Sequence, residues 1–311
     1  MRAIRTRVAE AAAAGTGVKR FVLEDPDGWE LPPFRPGGHV DLHLPDGSLR
    51  TYSLCNDPAE QTRYVVAVKR EADGRGGSIL LHDTVTAGME IGVSLPRGGV
   101  PLAAGRHVFV AGGIGVTPFL SAAASLQREG RGDFELHVIS RGPPPLAAEL
   151  EPFLRSGHAR LYDTTTARRP DLSALLGAAT TGTALSCCGP LALTEAFEQA
   201  TRDWAPEAVH VERFVAPELP PDPDARPYRL VLARSGREMD VGPAVSVLDA
   251  LLHAGIEIPH SCCGGICGAC RVDWLEGRPV HRDRVLSPAE RQHALMACVA
   301  FSAEDRLVLD L

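Results

Sequence analysis

The stretch His260-Ser-Cys-Cys-Gly-Gly-Ile-Cys-Gly-Ala-Cys270, with a lone Cys298 downstream, decides how the rest of the chain is read. Its thiols follow the spacing Cys262-x4-Cys267-x2-Cys270-x27-Cys298. A plant-type 2Fe–2S centre uses Cys-x4-Cys-x2-Cys and a distant fourth Cys. The loop must wrap the cluster with its amides aimed at sulfur, and Gly264, Gly265 and Gly268 let the backbone come close. Structural zinc is the alternative, but zinc loops more often pair short Cys-x2-4-Cys knuckles with His partners. Cys263 competes in principle with Cys262 as first ligand; the x4 spacing favours Cys262. His260 reads as a surface or outlying neighbour, because a Rieske centre needs two His ligands in another arrangement.

Outward from this loop, residues 228–311 begin with a hairpin (Tyr228 to Ala233, Arg237 to Val241) and a helix near Ser246 to Ala254. Five prolines within 216–227 make that segment a stiff, extended linker. Residues 104–215 alternate strands with helices, which predicts a parallel sheet wound with helices. There Ala111-Gly-Gly-Ile-Gly-Val-Thr-Pro118 follows an apolar strand and opens a helix. Gly112, Gly113 and Gly115 free backbone amides to face a pyrophosphate, while Thr117 is placed to cap a helix that Pro118 begins. A tight turn without a ligand is the plainer alternative. This is not the dinucleotide fingerprint, since Pro118 stands where a third Gly belongs. Glu135 lies at the wrong end of the next strand to meet a ribose. The far end offers Ser140 and Arg141, the latter to stack on adenine, to neutralise a 2′-phosphate, or simply to be solvated. Cys187-Cys188-Gly189-Pro190 again ends a strand and opens a helix, at the sheet edge where ligands bind in such folds.

Residues 1–103 alternate short apolar runs with turn chemistry, which predicts an antiparallel barrel or sandwich. Arg50-Thr-Tyr-Ser53 lies in this segment, with Lys69 and Gly77-Ser78 further on. Arg50 supplies a forked cation, Gly77 and Ser78 a helix-start anion site, and Tyr52 a flat ring, which together make a flavin phosphate site.

The 311 residues are 44% hydrophobic and 23% charged, the balance of a soluble globular protein of two or three domains. A net charge of −7 offers no general basic surface for nucleic acid or anionic lipid. Eight cysteines, four of them within nine positions, point to a cluster rather than a disulfide framework. Arg2, Arg5 and Arg7 precede only a short apolar run, so no signal peptide is expected. The uncharged stretch 108–124 is long enough to span a membrane, but its glycines and Pro118 read better as strand, turn, helix. A cytoplasmic location, with no membrane or nucleic-acid partner, is therefore expected.

Arg-Thr-Tyr-Ser, Gly-Gly-Ile-Gly-Val-Thr-Pro, Cys-Cys-Gly-Pro and the C-terminal cysteine pattern occur in one order over nearly the whole chain. In that order they resemble the phthalate dioxygenase reductase family, within the ferredoxin–NADP reductase-like superfamily. The resemblance implies a flavin-binding antiparallel β-barrel, a parallel-sheet α/β nucleotide domain and a β-grasp ferredoxin domain. Position by position, it implies that Arg50, Thr51, Tyr52, Ser53, Lys69, Gly77 and Ser78 bind flavin. The nucleotide falls to Gly112, Gly113, Gly115, Thr117, Pro118, Ser140, Arg141, Cys188, Gly189 and Pro190. Ser53, Cys188 and Phe214, from Val-Glu-Arg-Phe, would flank the reacting rings, and Cys262, Cys267, Cys270 and Cys298 would ligate the cluster. Two departures are a slightly short interval before the fourth Cys and the doubled pairs 187–188 and 262–263.

FMN is expected because the barrel segment offers no extra aromatic platform for an adenine, and the resemblance favours NADH over NADPH. Such a protein would pass electrons from NADH through flavin to the cluster and on, singly, to a terminal oxygenase component, either a Rieske-type oxygenase or demethylase or a cytochrome P450. An FAD-containing relative with another acceptor, or a non-catalytic redox sensor, is the alternative reading.

Overall fold

Alternation along short strands builds the first sheet. The computed structural model describes residues 3–102, 105–214, 226–243 and 245–311. Within it β1 (Ile4–Ala13), β2 (Val18–Glu24), β3 (His39–His43), β4 (Leu49–Ser53), β5 (Arg63–Lys69) and β6 (Glu90–Val93) pair in the order β4-β3-β6-β1-β2-β5. All these pairings are antiparallel. The two edge strands meet where Leu54 bridges Val66, so the sheet closes into a barrel. Helix α1 (Gly77–Thr84) lies between β5 and β6 in the chain.

The barrel strand β5 is apolar on both faces for a reason that only the fold supplies. Tyr64, Val66 and Val68 point into the barrel core with Phe21 and Leu23 of β2. Val65 and Ala67 point outward with Val18 and Val22, and join a different core that includes Phe109, Phe119, Leu120 and Val138. Successive strand residues face opposite sides, so one run of sequence serves two cores. Arg20 shares that outward face and ion-pairs with Glu149 at 2.8 Å. The barrel and the next sheet thus share one core and form one compact unit, residues 1–214.

That next sheet contains β7 (Arg106–Gly112), β8 (Phe134–Ser140), β9 (Ala159–Asp163), β10 (Thr183–Cys188) and β11 (Val209–Glu212). All five are parallel, in the order β11-β10-β7-β8-β9. Helices α2 (Thr117–Arg128), α3 (Ala147–Arg155), α4 (Leu172–Leu176) and α5 (Leu191–Ala200) make the crossovers. Both faces are covered: Phe109 and Ala111 of β7 enter the core shared with the barrel, while Val108 and Val110 pack with Leu185, Leu193 and Phe197. The winding reverses between β7 and β10, and in open α/β sheets ligands bind at that reversal. The glycine turn follows β7 and the Cys-Cys-Gly-Pro turn follows β10, so both expected nucleotide motifs sit there.

The second compact unit is residues 215–311. It contains β12 (Tyr228–Leu232), β13 (Arg237–Val241), α6 (Val247–His253), β14 (Arg271–Glu276), β15 (Pro279–Val280), β16 (Ala294–Met296), β17 (Phe301–Ser302) and β18 (Arg306–Leu309). Its main sheet runs β13-β12-β18-β14-β16, with β15 and β17 paired apart. Ser246 caps α6 by accepting the Asp249 amide at 3.1 Å. Val247, Leu248 and Leu251 pack with Leu230, Val272, Leu295 and Leu307, a β-grasp arrangement of helix on mixed sheet.

The hairpin and helix expected in 228–254 are present, as is the alternation of strands with helices expected in 104–215. Strands β1, β6, β9, β11 and β14 to β18 are not singled out by the sequence. Most of the linker segment, 216–225, and the boundary at 103–104 lie outside the described residues. No described helix is long and apolar enough to cross a membrane.

The tightest approach in the first unit lies between the two turns at the reversal. A Cβ on Gly115 would stand 2.3 Å from the Cys188 carbonyl oxygen, and one on Gly112 would stand 2.6 Å from Pro190 Cδ. Gly115→Ala is therefore expected to destabilise the first unit by about 1–3 kcal/mol. Gly132→Ala, whose Cβ would meet nothing closer than His158 at 3.7 Å, should lie within about 0.5 kcal/mol of the parent. Denaturant titration of the two variants checks the contrast.

Candidate active site and thiol cluster

Gly112 and Gly115 are glycines because two turns press together, not only because a ligand needs their amides. Gly189 closes the contact from the other side, its missing Cβ lying 2.9 Å from Gly112 Cα. Gly113 differs: its φ is +53° and a Cβ there would meet nothing within 4 Å, so it borders open space. The expected Thr117 cap does not form. Gly113–Val116 make a 3₁₀ turn that runs straight into α2, and the Thr117 hydroxyl donates back to the Ile114 carbonyl at 3.0 Å. Pro118 still falls in the first turn of α2, where its missing N–H costs nothing.

The doubled cysteine of β10 is sorted by strand alternation. Cys187 lies in the core on the side of Phe197 and Trp204, whereas Cys188 faces the core shared with the barrel. Burial, reinforced by the Glu212 carboxylate and by Cys187, pushes the Cys188 thiol up, so it stays protonated. Cys188 pairs in register with Glu212 at the end of β11. From the barrel side, the buried Ser53 at the end of β4 donates its hydroxyl to Glu212 Oε1 at 3.3 Å. Desolvation pushes the Glu212 carboxyl up to about 7, with the Ser53 hydrogen bond working against it. Three elements thus bring Ser53, Cys188 and Glu212 to one place. Phe214 lies two residues past Glu212, with 41% of its surface exposed.

Sequence reasoning named Ser53, Cys188 and Phe214 but passed over Glu212. An acid closing a short strand, two residues before the quoted aromatic, was the available signal.

On the barrel, Arg50 lies across the start of α1. Its Nη2 donates to the Arg75 carbonyl at 2.7 Å, and a Cβ on Gly77 would stand 2.5 Å from its Nε. No side chain caps α1, whose preceding Gly76 is left-handed, so the first-turn amides have no capping acceptor. A forked cation against uncapped amides fits a phosphate group. Tyr52, on the same strand face as Arg50, is desolvated enough that its hydroxyl is pushed up to about 12. Two further expected contributors, Thr51 and Ser78, are engaged elsewhere. Thr51 donates to the buried Asp41 at 2.6 Å, and the Ser78 hydroxyl accepts the Glu71 amide at 3.0 Å.

A cleft of about 280 Å³ opens beside the glycine turn, lined by Lys69, Gly113, Ser140, Arg141, Thr164 and Arg169 among others. Its walls come from the barrel and from the carboxyl edge of the parallel sheet, which suits an elongated anionic ligand. Lys69 is ion-paired to Glu71 at 2.5 Å. Glu135 pairs with Arg106 at the opposite end of β8, the end at which the sequence had placed it. Arg169 and Thr164 carried no sequence signal, because they belong to an irregular loop after β9.

In the second unit the four spaced cysteines converge on one loop. The thiol of Cys262 is electrostatically linked to those of Cys267 and Cys298, and that of Cys270 to Cys298. Backbone amides point at the sulfurs: Gly264 N–H at Cys262 (3.4 Å), Gly265 N–H at Cys298 (3.3 Å) and Cys262 N–H at Cys267 (3.5 Å). The neighbouring thiols hold Cys262 low, and Cys267 and Cys298, keeping their own protons in that arrangement, are pushed up.

Among the described residues no three His, Cys, Asp or Glu side chains are arranged around a single ion. Cys263 is exposed, its sulfur turned to the Ser261 carbonyl. Asp283, absent from the sequence reading, backs the loop: a Cβ on Gly265 would stand 2.9 Å from its Cα, and Arg284 N–H donates to the Gly265 carbonyl at 2.9 Å.

Comparison with known proteins agrees with this layout. The 2Fe-2S iron-sulfur cluster binding domain family matches residues 230–303. The heme-dependent oxidative N-demethylase beta subunit of Ectopseudomonas mendocina is 41% identical over 286 residues, 90% of each chain. Phthalate dioxygenase reductase of Burkholderia cepacia is 37% identical over 319 residues, 99% of this chain and 97% of that one. A solved structure of phthalate dioxygenase reductase matches with a TM-score of 0.74 at 36% identity, covering 99% of this chain and 98% of the other. An intact type IV self-sufficient cytochrome P450 monooxygenase matches with a TM-score of 0.86 at 34% identity, this chain spanning 41% of it. The chain belongs to the phthalate dioxygenase reductase family, built on a flavin- and nicotinamide-binding reductase fold with a C-terminal 2Fe–2S domain.

Proposed function

We propose that this chain is the reductase component of an oxygenase system, with FMN as its flavin and a single-electron acceptor protein as its partner. The meeting of Ser53, Cys188 and Glu212 at the reversal of the parallel sheet, beside a cleft for an anionic ligand, carries the reading. The names of the relatives, a dioxygenase reductase and an N-demethylase subunit, support a terminal oxygenase as partner. The P450 fusion keeps a cytochrome P450 in view as the alternative acceptor.

Flavin, when bound, supplies the conversion of a two-electron hydride into single electrons, which no side chain here can perform. The residues have simpler tasks. Arg50 and the start of α1 would hold the flavin phosphate, and Tyr52 would bound the ring. The stretch 70–76 beside Arg50 contains no aromatic side chain to stack an adenine, which favours FMN over FAD. Cys188, held as a neutral thiol, fills space beside the reacting rings without acting as a nucleophile. Ser53 Oγ and Glu212 Oε1 form a short route on which a proton can be held. Flavin released from the holoprotein should co-migrate with FMN; co-migration with FAD overturns that assignment.

Cys262, Cys267, Cys270 and Cys298 would hold the cluster that passes electrons singly to the partner. Cys262→Ser should lose the iron–sulfur absorbance and dinucleotide-dependent cytochrome c reduction while retaining reduction of an artificial two-electron acceptor. Cys263→Ser should retain all three. Cytochrome c reduction at the full rate in Cys262→Ser would show that the route does not run through this loop.

Glu212 accepts a proton only as the carboxylate, the form that prevails above about pH 7. The turnover number for reduction of the artificial acceptor should therefore rise as pH climbs through about 7. Glu212→Gln should flatten that rise and lower turnover by about 10²-fold, in the range of general acid–base effects. An unchanged pH profile in Glu212→Gln would remove Glu212 from the route.

A further inference from the structure

The cleft beside the glycine turn distinguishes between two dinucleotides that differ by one phosphate. Arg141 directly follows β8, and Arg169 lies in the loop between β9 and α4. Both line the cleft, and neither has an ion pair or hydrogen bond among the described residues. Their loops are stitched together. Thr164 Oγ1 donates to the Ser140 carbonyl at 3.0 Å, Ser140 Oγ donates to the Gly142 carbonyl at 2.7 Å, and Gly142 N–H donates to Asp163 Oδ1 at 2.9 Å.

The charge pattern of this corner is one-sided. No Asp or Glu lines the cleft. Asp163, in register with Ser140 across β8 and β9, accepts on Oδ1 from Gly142 N–H, Thr165 N–H (2.8 Å) and Thr165 Oγ1 (2.7 Å). In a doubly wound sheet the end of the second strand meets the adenosine ribose. There an acidic side chain accepts the 2′-hydroxyl of NAD, whereas arginine accommodates the 2′-phosphate of NADP. Here the second strand is β8: Arg141 directly follows it, Arg169 lines the same cleft from the loop after β9, and no carboxylate is among the cleft's described lining residues.

We propose that this chain selects the 2′-phosphorylated dinucleotide, NADPH, with Arg141 and Arg169 as ligands of its 2′-phosphate. This rests on the cleft being the dinucleotide site, and it departs from NADH, which resemblance alone implied. A guanidinium gives a forked donor suited to phosphate. Arginines serving the pyrophosphate instead would aid both dinucleotides alike, so the discriminating quantity is a ratio.

Calorimetry on the holoprotein with adenosine 2′,5′-bisphosphate and with 5′-AMP reads that ratio without turnover. The bisphosphate should bind at least about tenfold tighter, as a charge-assisted hydrogen bond warrants. Arg141→Ala and Arg169→Ala should each shrink the preference by about tenfold, with Arg169→Lys retaining part of it. In steady state the NADPH-to-NADH ratio of kcat/KM should fall in the same variants, chiefly through KM for NADPH. Equal binding of the two probes, or variants that weaken both equally, overturns the proposal and leaves the cleft as a dinucleotide site. Binding of neither probe, with no displacement by either dinucleotide, overturns the reading of the cleft and the proposal together.

Discussion

The contact of backbone on backbone between Gly115 and the Cys188–Gly189 peptide governs the geometry of the first unit. A single added methyl at Gly115 would stand 2.3 Å from the Cys188 carbonyl oxygen. Because neither turn carries a side chain there, the ends of β7 and β10 come together at the point where the sheet reverses. Cys188 is thereby set on the barrel-facing side, and β11, hydrogen-bonded alongside, sets Glu212 next to it. The shared core of Val18, Val22, Val65 and Ala67 with Phe109 and Phe119 then fixes the barrel against this edge. Ser53 reaches Glu212 only because that core holds the two sheets in one body.

Electrostatics at this edge follow from burial more than from ion pairing. Desolvation, opposed only in part by the Ser53 hydroxyl, decides the charge of Glu212 near neutrality. Arg50 lies at the start of α1, and Arg141 and Arg169 line the cleft beside the glycine turn. The first unit thus offers a buried, proton-holding carboxyl at Glu212 and cationic side chains at Arg50, Arg141 and Arg169. In the second unit the thiol loop is organised differently, by amides aimed at sulfur and by the buried Asp283 behind Gly265.

Much of this was legible in the chain. The cysteine spacing specified the thiol loop because a cluster constrains its ligands locally, within a few residues. The glycine turn and the Cys-Gly-Pro turn were visible for the same reason, although the cause of two of the glycines was not. The apolar run of β5 is ambiguous in sequence, since a strand buried on both faces shows no alternation. Strand β1 was hidden by its outward arginines and alanines, and β9 by its exposed polar residues.

By itself, then, the sequence determined the motifs, their order and the local chemistry of each, since turns, caps and ligand loops are encoded over short stretches. The tertiary structure alone decided which motifs meet. It turned Cys187 away and Cys188 inward, brought Ser53 to a glutamate 159 positions later, and carried Arg169 to the side of Arg141. Those juxtapositions depend on strand register and on the packing of one sheet against another, which are long-range properties that no spacing within a motif records.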